Sequence, residues 1–112
     1  MTDYTLYYWP APFRGQFVRA VLSYAGCSWG EAGFDATSVQ RALKPGGQLI
    51  PHMGPPVLTD HRQGVHLSQM PAILAYLGDK YRLMTDDPVL KAMCHKVVAD
   101  ANDVLYEMTR YN

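Results

Sequence analysis

Two hydrophobic rhythms alternate along this chain, one of period two and one close to 3.6. Thr5-Leu6-Tyr7-Tyr8-Trp9 is short, aromatic and β-prone, and Pro10-Ala11-Pro12 ends it. This pattern predicts a strand and then a loop. Phe17, Val18, Val21, Leu22 and Ala25 then recur at i, i+1, i+4, i+5 and i+8. They mark one face of a helix, and Gly26 suits the position just past its end. Trp29 to Phe34 reads as a weak second strand. Thr37 to Leu43 reads as a short helix capped by Thr37 or Ser38 and stopped by Lys44-Pro45-Gly46-Gly47. Gln48 to Gly54 is predicted loop.

Pro56 to Thr59 and Val65 to Leu67 flank the polar turn Asp60 to Gly64, which predicts a hairpin. Ser68 then reads as the cap of a helix with Met70, Ile73, Leu74 and Leu77 on one face. Pro71 sits in its first turn, where backbone N–H groups lack helical partners anyway. Asp86-Asp87-Pro88 opens a last helix, with acids at its start and proline near its first position. Its apolar positions are Leu90, Met93, Val97, Ala101, Val104, Leu105 and Met108. The helix would run for about 25 residues, roughly 37 Å. The order is β-α-β-α-β-β-α plus one helix. The first crossover makes parallel strands and the hairpin antiparallel ones. The expected α/β fold is therefore a thioredoxin-like domain with a mixed four-stranded sheet.

Composition narrows the possibilities. The 112 residues suit one domain and leave no room for a second full one. Ten basic and ten acidic residues cancel, which argues against a nucleic-acid binder or a polybasic membrane anchor. Charged residues make up only 18% while hydrophobic ones reach 48%, more apolar surface than a small lone domain needs. Cys27 and Cys94 form no paired motif, and His52, His61, His66 and His95 show no metal-ligand spacing, so no metal is expected. No secretory leader and no apolar run of about 20 residues is visible, so a cytoplasmic protein without a membrane span is expected.

Three segments together resemble the cytosolic glutathione S-transferase family. They are Tyr4-Thr5-Leu6-Tyr7-Tyr8-Trp9-Pro10 with Arg14 and Arg19, Gly54-Pro55-Pro56-Val57-Leu58, and Leu67-Ser68-Gln69-Met70-Pro71-Ala72-Ile73-Leu74-Ala75-Tyr76-Leu77. The resemblance implies a glutathione-binding thioredoxin-like domain over residues 1–81. It implies a linker and the first helix of an incomplete all-α domain over residues 82–112. Such a chain would be a truncated or naturally short form, weakly active or inactive alone.

The resemblance further implies that Tyr8 is catalytic, its hydroxyl donating to the sulfur of glutathione. The thiolate is the nucleophile, so whatever favours it favours attack on an electrophile. Arg14 and Lys44 would meet the terminal glycine carboxylate. Pro56 is the implied cis-proline, and Pro55 before it would contact the cysteinyl backbone. Gln69 and Met70 would contact the γ-glutamyl group, and Asp100, with Asp103 as an alternative, would reach it from a partner subunit of a homodimer. Two residues depart from the family pattern. Pro55 has no N–H to donate, and Met70 replaces a serine whose hydroxyl binds a carboxylate. A non-catalytic binding or scaffold module, or a glutathione-dependent isomerase, is the competing expectation.

Overall fold

The computed structural model describes residues 2–41 and 45–110. Strand β1 (Tyr4–Tyr7) leads to helix α1 (Arg14–Ala25), strand β2 (Trp29–Glu31) and helix α2 (Phe34–Arg41). A single 3₁₀ turn (Pro45–Gly47) precedes the hairpin β3 (Val57–Asp60) and β4 (Val65–Ser68). Helices α3 (Met70–Lys80) and α4 (Pro88–Arg110) follow. The four strands form one sheet in the order β2-β1-β3-β4. β1 runs parallel to β2 and antiparallel to β3, and β3 is antiparallel to β4. This is the mixed sheet of a thioredoxin-like domain followed by a long helix, as the pattern predicts.

Period two explains the packing of the sheet. Tyr4 and Leu6 of β1 are fully buried and meet Val18 and Leu22 of α1, Leu58 of β3, and Ile73 and Leu77 of α3. All four residues of β3 are buried, so both faces of this central strand are covered. Gly26 ends α1 with φ 71°, a left-handed conformation that glycine adopts without a steric penalty. Asp87 caps α4: its Oδ1 accepts from the N–H groups of Val89 (2.9 Å) and Leu90 (3.1 Å).

Four local readings need correction. β1 stops at Tyr7, short of Trp9, whose carbonyl accepts from Ala11 N–H at 2.8 Å and from Arg19 Nη2 at 2.7 Å. β2 is only three residues long, and α2 begins at Phe34 rather than at Thr37. Thr37 lies inside α2, fully buried, and its hydroxyl donates to Gly33 O at 2.7 Å, so neither it nor Ser38 is a cap. Ser68 is the last residue of β4, opposite Val57, and Gln69 takes the cap position of α3 with φ 71° and no side-chain cap bond. The end of the predicted second helix, at Leu43 and Lys44, lies outside the described residues.

Candidate functional site

The peptide bond between Pro55 and Pro56 is cis, as the family resemblance implies. It delivers the chain into β3 beside the start of α3. Gln69, at that start, is exposed and holds a positive φ unusual for a residue with a side chain. Met70, next along, turns its side chain into the core at 1% exposure. Its backbone N–H lies in the first turn of α3, where such groups lack helical partners, a setting that suits an anion.

A cleft of about 430 Å³ opens at this point. It gathers Arg14 from α1, Met53, Gly54, Pro55 and Pro56 before β3, and Gln69 and Met70 at α3. Its far wall is α4, through Asn102, Asp103 and Tyr106. Arg14 ties the two sides together, its Nε donating to Asn102 Oδ1 at 3.1 Å. Among the described residues, Arg14 and Asp103 are the charged groups lining this cleft, one of each sign.

Six residues singled out in the sequence thus share one cleft: Arg14, Pro55, Pro56, Gln69, Met70 and Asp103. Tyr8 does not line it. Its ring lies over Gly15, where a Cβ would overlap the Tyr8 ring atoms, and beside Trp9 with ring centroids 5.7 Å apart. Tyr8 instead lines a second cleft of about 560 Å³ with Pro10, Pro12, Phe34 and the Arg19–Glu31 pair. Arg19 braces this region. It bonds Glu31 at 2.6 Å and the carbonyls of Trp9 and Ala11, and its guanidinium sits 5.6 Å from the Tyr8 ring centroid. Asp100 is exposed on α4 and pairs with Lys96 at 2.6 Å, while Asp103 faces the first cleft. Lys44 lies outside the described residues.

Asn102 and Tyr106 escape a reading of the sequence. They sit at i and i+4 on one side of α4, and only the docking of that helix against α3 brings them to Pro55 and Gln69. Behind the cleft, the loop into Gly54 is held by a polar knot. Gln48 Nε2 donates to Gln40 O at 2.9 Å, and Leu49 N–H donates to Gln40 Oε1 at 3.0 Å. His52 joins through its Nε2, 3.4 Å from Gln40 Oε1, and burial pushes its pKa down despite a backbone bond with Gly54.

A second polar cluster supports α3. Asp60, 1% exposed, accepts from Lys80 Nζ at 2.7 Å, Tyr76 Oη at 2.5 Å, and the N–H groups of Arg62 and Gln63. The Lys80 ammonium lies 5.1 to 5.9 Å from the rings of Tyr4, Tyr76 and Tyr81. Tyr4 and Tyr81 share a hydroxyl bond of 2.7 Å. Burial disfavours the Asp60 carboxylate, but the bonds from Lys80, Tyr76 and Gln63 outweigh it and hold its pKa below the usual value. Burial also pushes the Cys27 thiol up, which makes it a poor nucleophile. Among the described residues no cluster suits a metal ion, and no helix is long and apolar enough to cross a membrane.

No protein-family model matches the sequence, and no curated protein does at a significant level. The likeness is structural. NaGST-2 superposes with a TM-score of 0.75 at 24% identity, over 99% of this chain and 51% of that one. A Nu-class glutathione S-transferase from Haemonchus contortus gives 0.69 at 26% identity, over 96% and 50%. Ure2p, solved in complex with S-hexylglutathione, gives 0.63 at 24% identity, over 85% and 46%. The chain has the glutathione S-transferase fold, and it spans about half the length of the structures it matches.

Proposed function

We propose that the cleft between Pro55–Pro56, Gln69 and α4 binds glutathione, and that the chain serves a glutathione transferase, its thiolate attacking an electrophile. The observation that carries this reading is the convergence of Arg14, the cis Pro55–Pro56 pair and the start of α3 on one cleft. Its chemistry matches a tripeptide with two carboxylates and one ammonium. Arg14 suits a carboxylate, the backbone N–H groups of the first turn of α3 suit a second, and Asp103 suits the ammonium. About 430 Å³ lies in the range of small-molecule sites. Ure2p, which shares the fold, was solved with a glutathione derivative bound. Within this reading residues 1–81 form the binding domain and residues 82–112 the start of a helical one. The electrophile would meet surfaces beyond this cleft, and a second copy of the chain would cover α4.

Pro55 favours a second reading, a module of the same fold that has lost ligand binding. Without an N–H it forgoes one backbone hydrogen bond, worth about 0.5–1.5 kcal/mol, or roughly a threefold to tenfold loss of affinity. Calorimetric titration with glutathione separates the two. Saturable heat from the native chain, with tighter binding by Pro55→Val, supports the transferase reading. An absence of heat up to millimolar ligand ends it, and binding gained only in Pro55→Val establishes the second. Met70→Ser is a poorer probe, because emptying a side chain buried to 1% costs about 2–4 kcal/mol of stability.

A further inference from the structure

Resting on the glutathione reading above, we propose that Asn102 of α4 is a positioning residue. Its neutral amide aims the Arg14 guanidinium end-on at the glycine carboxylate of the tripeptide and leaves the charge of Arg14 uncancelled. The contact that carries this is Arg14 Nε donating to Asn102 Oδ1 at 3.1 Å, across 88 residues of chain. The Nε–H group can only donate, so the amide atom that faces it is the oxygen.

A guanidinium grips a carboxylate through one of two edges: Nε with one Nη, or both Nη atoms together. Asn102 occupies the first edge. The Phe13 ring lies near the flat of the group, with Cζ 5.2 Å from the ring centroid. Among the described residues the two Nη atoms make no hydrogen bond, and Arg14 makes no ion pair. The second edge is therefore what this half-buried arginine, which lines the cleft, has left for a ligand.

Asn102 is itself held in place. Val98, one turn before it, and Leu105, one turn after, pack against the core, and Asn102 lies half-buried between them. The docking of α4 thus sets where the amide meets Arg14.

The neutrality of the partner matters as much as its position. An aspartate has nearly the same shape and would accept the same bond. It would also set a negative charge against Arg14 and oppose an arriving carboxylate. The chain carries an acid at the next position, Asp103, which lines the same cleft yet forms no ion pair with Arg14. An amide fixes the direction of the guanidinium while its full charge stays with the ligand.

The test reads dissociation constants from amide chemical shifts, for glutathione and for its glycine ethyl ester. It compares the native chain, Asn102→Asp and Asn102→Ala, with thermal melts by circular dichroism to check each fold. The native chain should bind the ester about tenfold more weakly than glutathione. Asn102→Asp should melt like the native chain yet bind glutathione about tenfold more weakly. Asn102→Ala should lose about threefold to tenfold for glutathione, and less than about twofold for the ester, which offers Arg14 no carboxylate there. Native-like glutathione affinity in either variant overturns the proposal while the binding reading stands. So does an equal loss for glutathione and ester in Asn102→Ala, the mark of a merely structural role, or a native chain that binds both ligands alike. A native chain that binds no glutathione overturns both.

Discussion

At the residue scale, the most consequential side chain outside the cleft is Asp60. The sequence places it at the edge of a polar turn, and nothing local distinguishes it from Asp35 or Asp86. The fold buries it to 1% and aims Lys80 and Tyr76 at it across 20 and 16 residues of chain. That long-range pairing explains why it was not legible. The folded pKa of Asp60 lies below its unfolded value, so the carboxylate contributes stability that is fully present above about pH 4. This contribution is lost as the pH falls through the depressed folded value. Asp60→Asn should cost about 2–3 kcal/mol in urea unfolding at neutral pH, because it strands the Lys80 ammonium against three rings. The loss should shrink in acid. A variant as stable as the native chain at neutral pH would show that the cluster contributes nothing net.

Among elements, α4 shows both what the sequence could reveal and what it could not. Its start was readable, since Asp87 caps it and Pro88 occupies the first turn. Its period was readable too. Which part of its apolar stripe faces the domain was not, because that depends on docking. Ala101 and Leu105 are half-buried against the domain, with Val98 between the predicted positions and Lys91 pairing Asp79 at 3.0 Å. Leu90, Met93, Val97, Val104 and Met108 remain 52 to 66% exposed, and no residue of α4 is buried. Its first half carries Lys91, His95 and Lys96, and its second carries Asp100, Asp103 and Glu107, with Arg110 at its end paired to Glu107 at 3.1 Å. Two copies of α4 packed antiparallel would match these charges while covering the apolar stripe. Sedimentation equilibrium should therefore find a dimer that weakens in high salt and in Val97→Lys. A native chain that stays monomeric at tens of micromolar would contradict this pairing.

Seen as a whole molecule, the fold follows from a few legible segments. Two strand–helix crossovers, one hairpin and a Pro-Pro pair set the sheet order β2-β1-β3-β4, and the cis bond at Pro56 falls where the resemblance implies. The cleft was legible in part for the same reason. Pro55, Pro56, Gln69 and Met70 are fixed by the hairpin and the start of α3, both local features of the chain. Arg14 joins them from the start of α1. Tyr8 is the instructive case. The end of a strand points to one cleft or another according to how the next loop is braced, and here Arg19 and Gly15 turn its ring toward Phe34 and Glu31. The wall supplied by α4 depends wholly on tertiary docking, so Asn102 and Tyr106 carried no sequence signal. The central claim is that glutathione occupies the cleft of Pro55, Gln69 and α4, and amide chemical shifts measured during a glutathione titration test it most directly. The account predicts shifts clustered at Gly54, Gln69, Met70, Asn102, Asp103 and Tyr106. Shifts clustered instead at Ala11, Gln16, Glu31 and Phe34, or none at millimolar ligand, would contradict it.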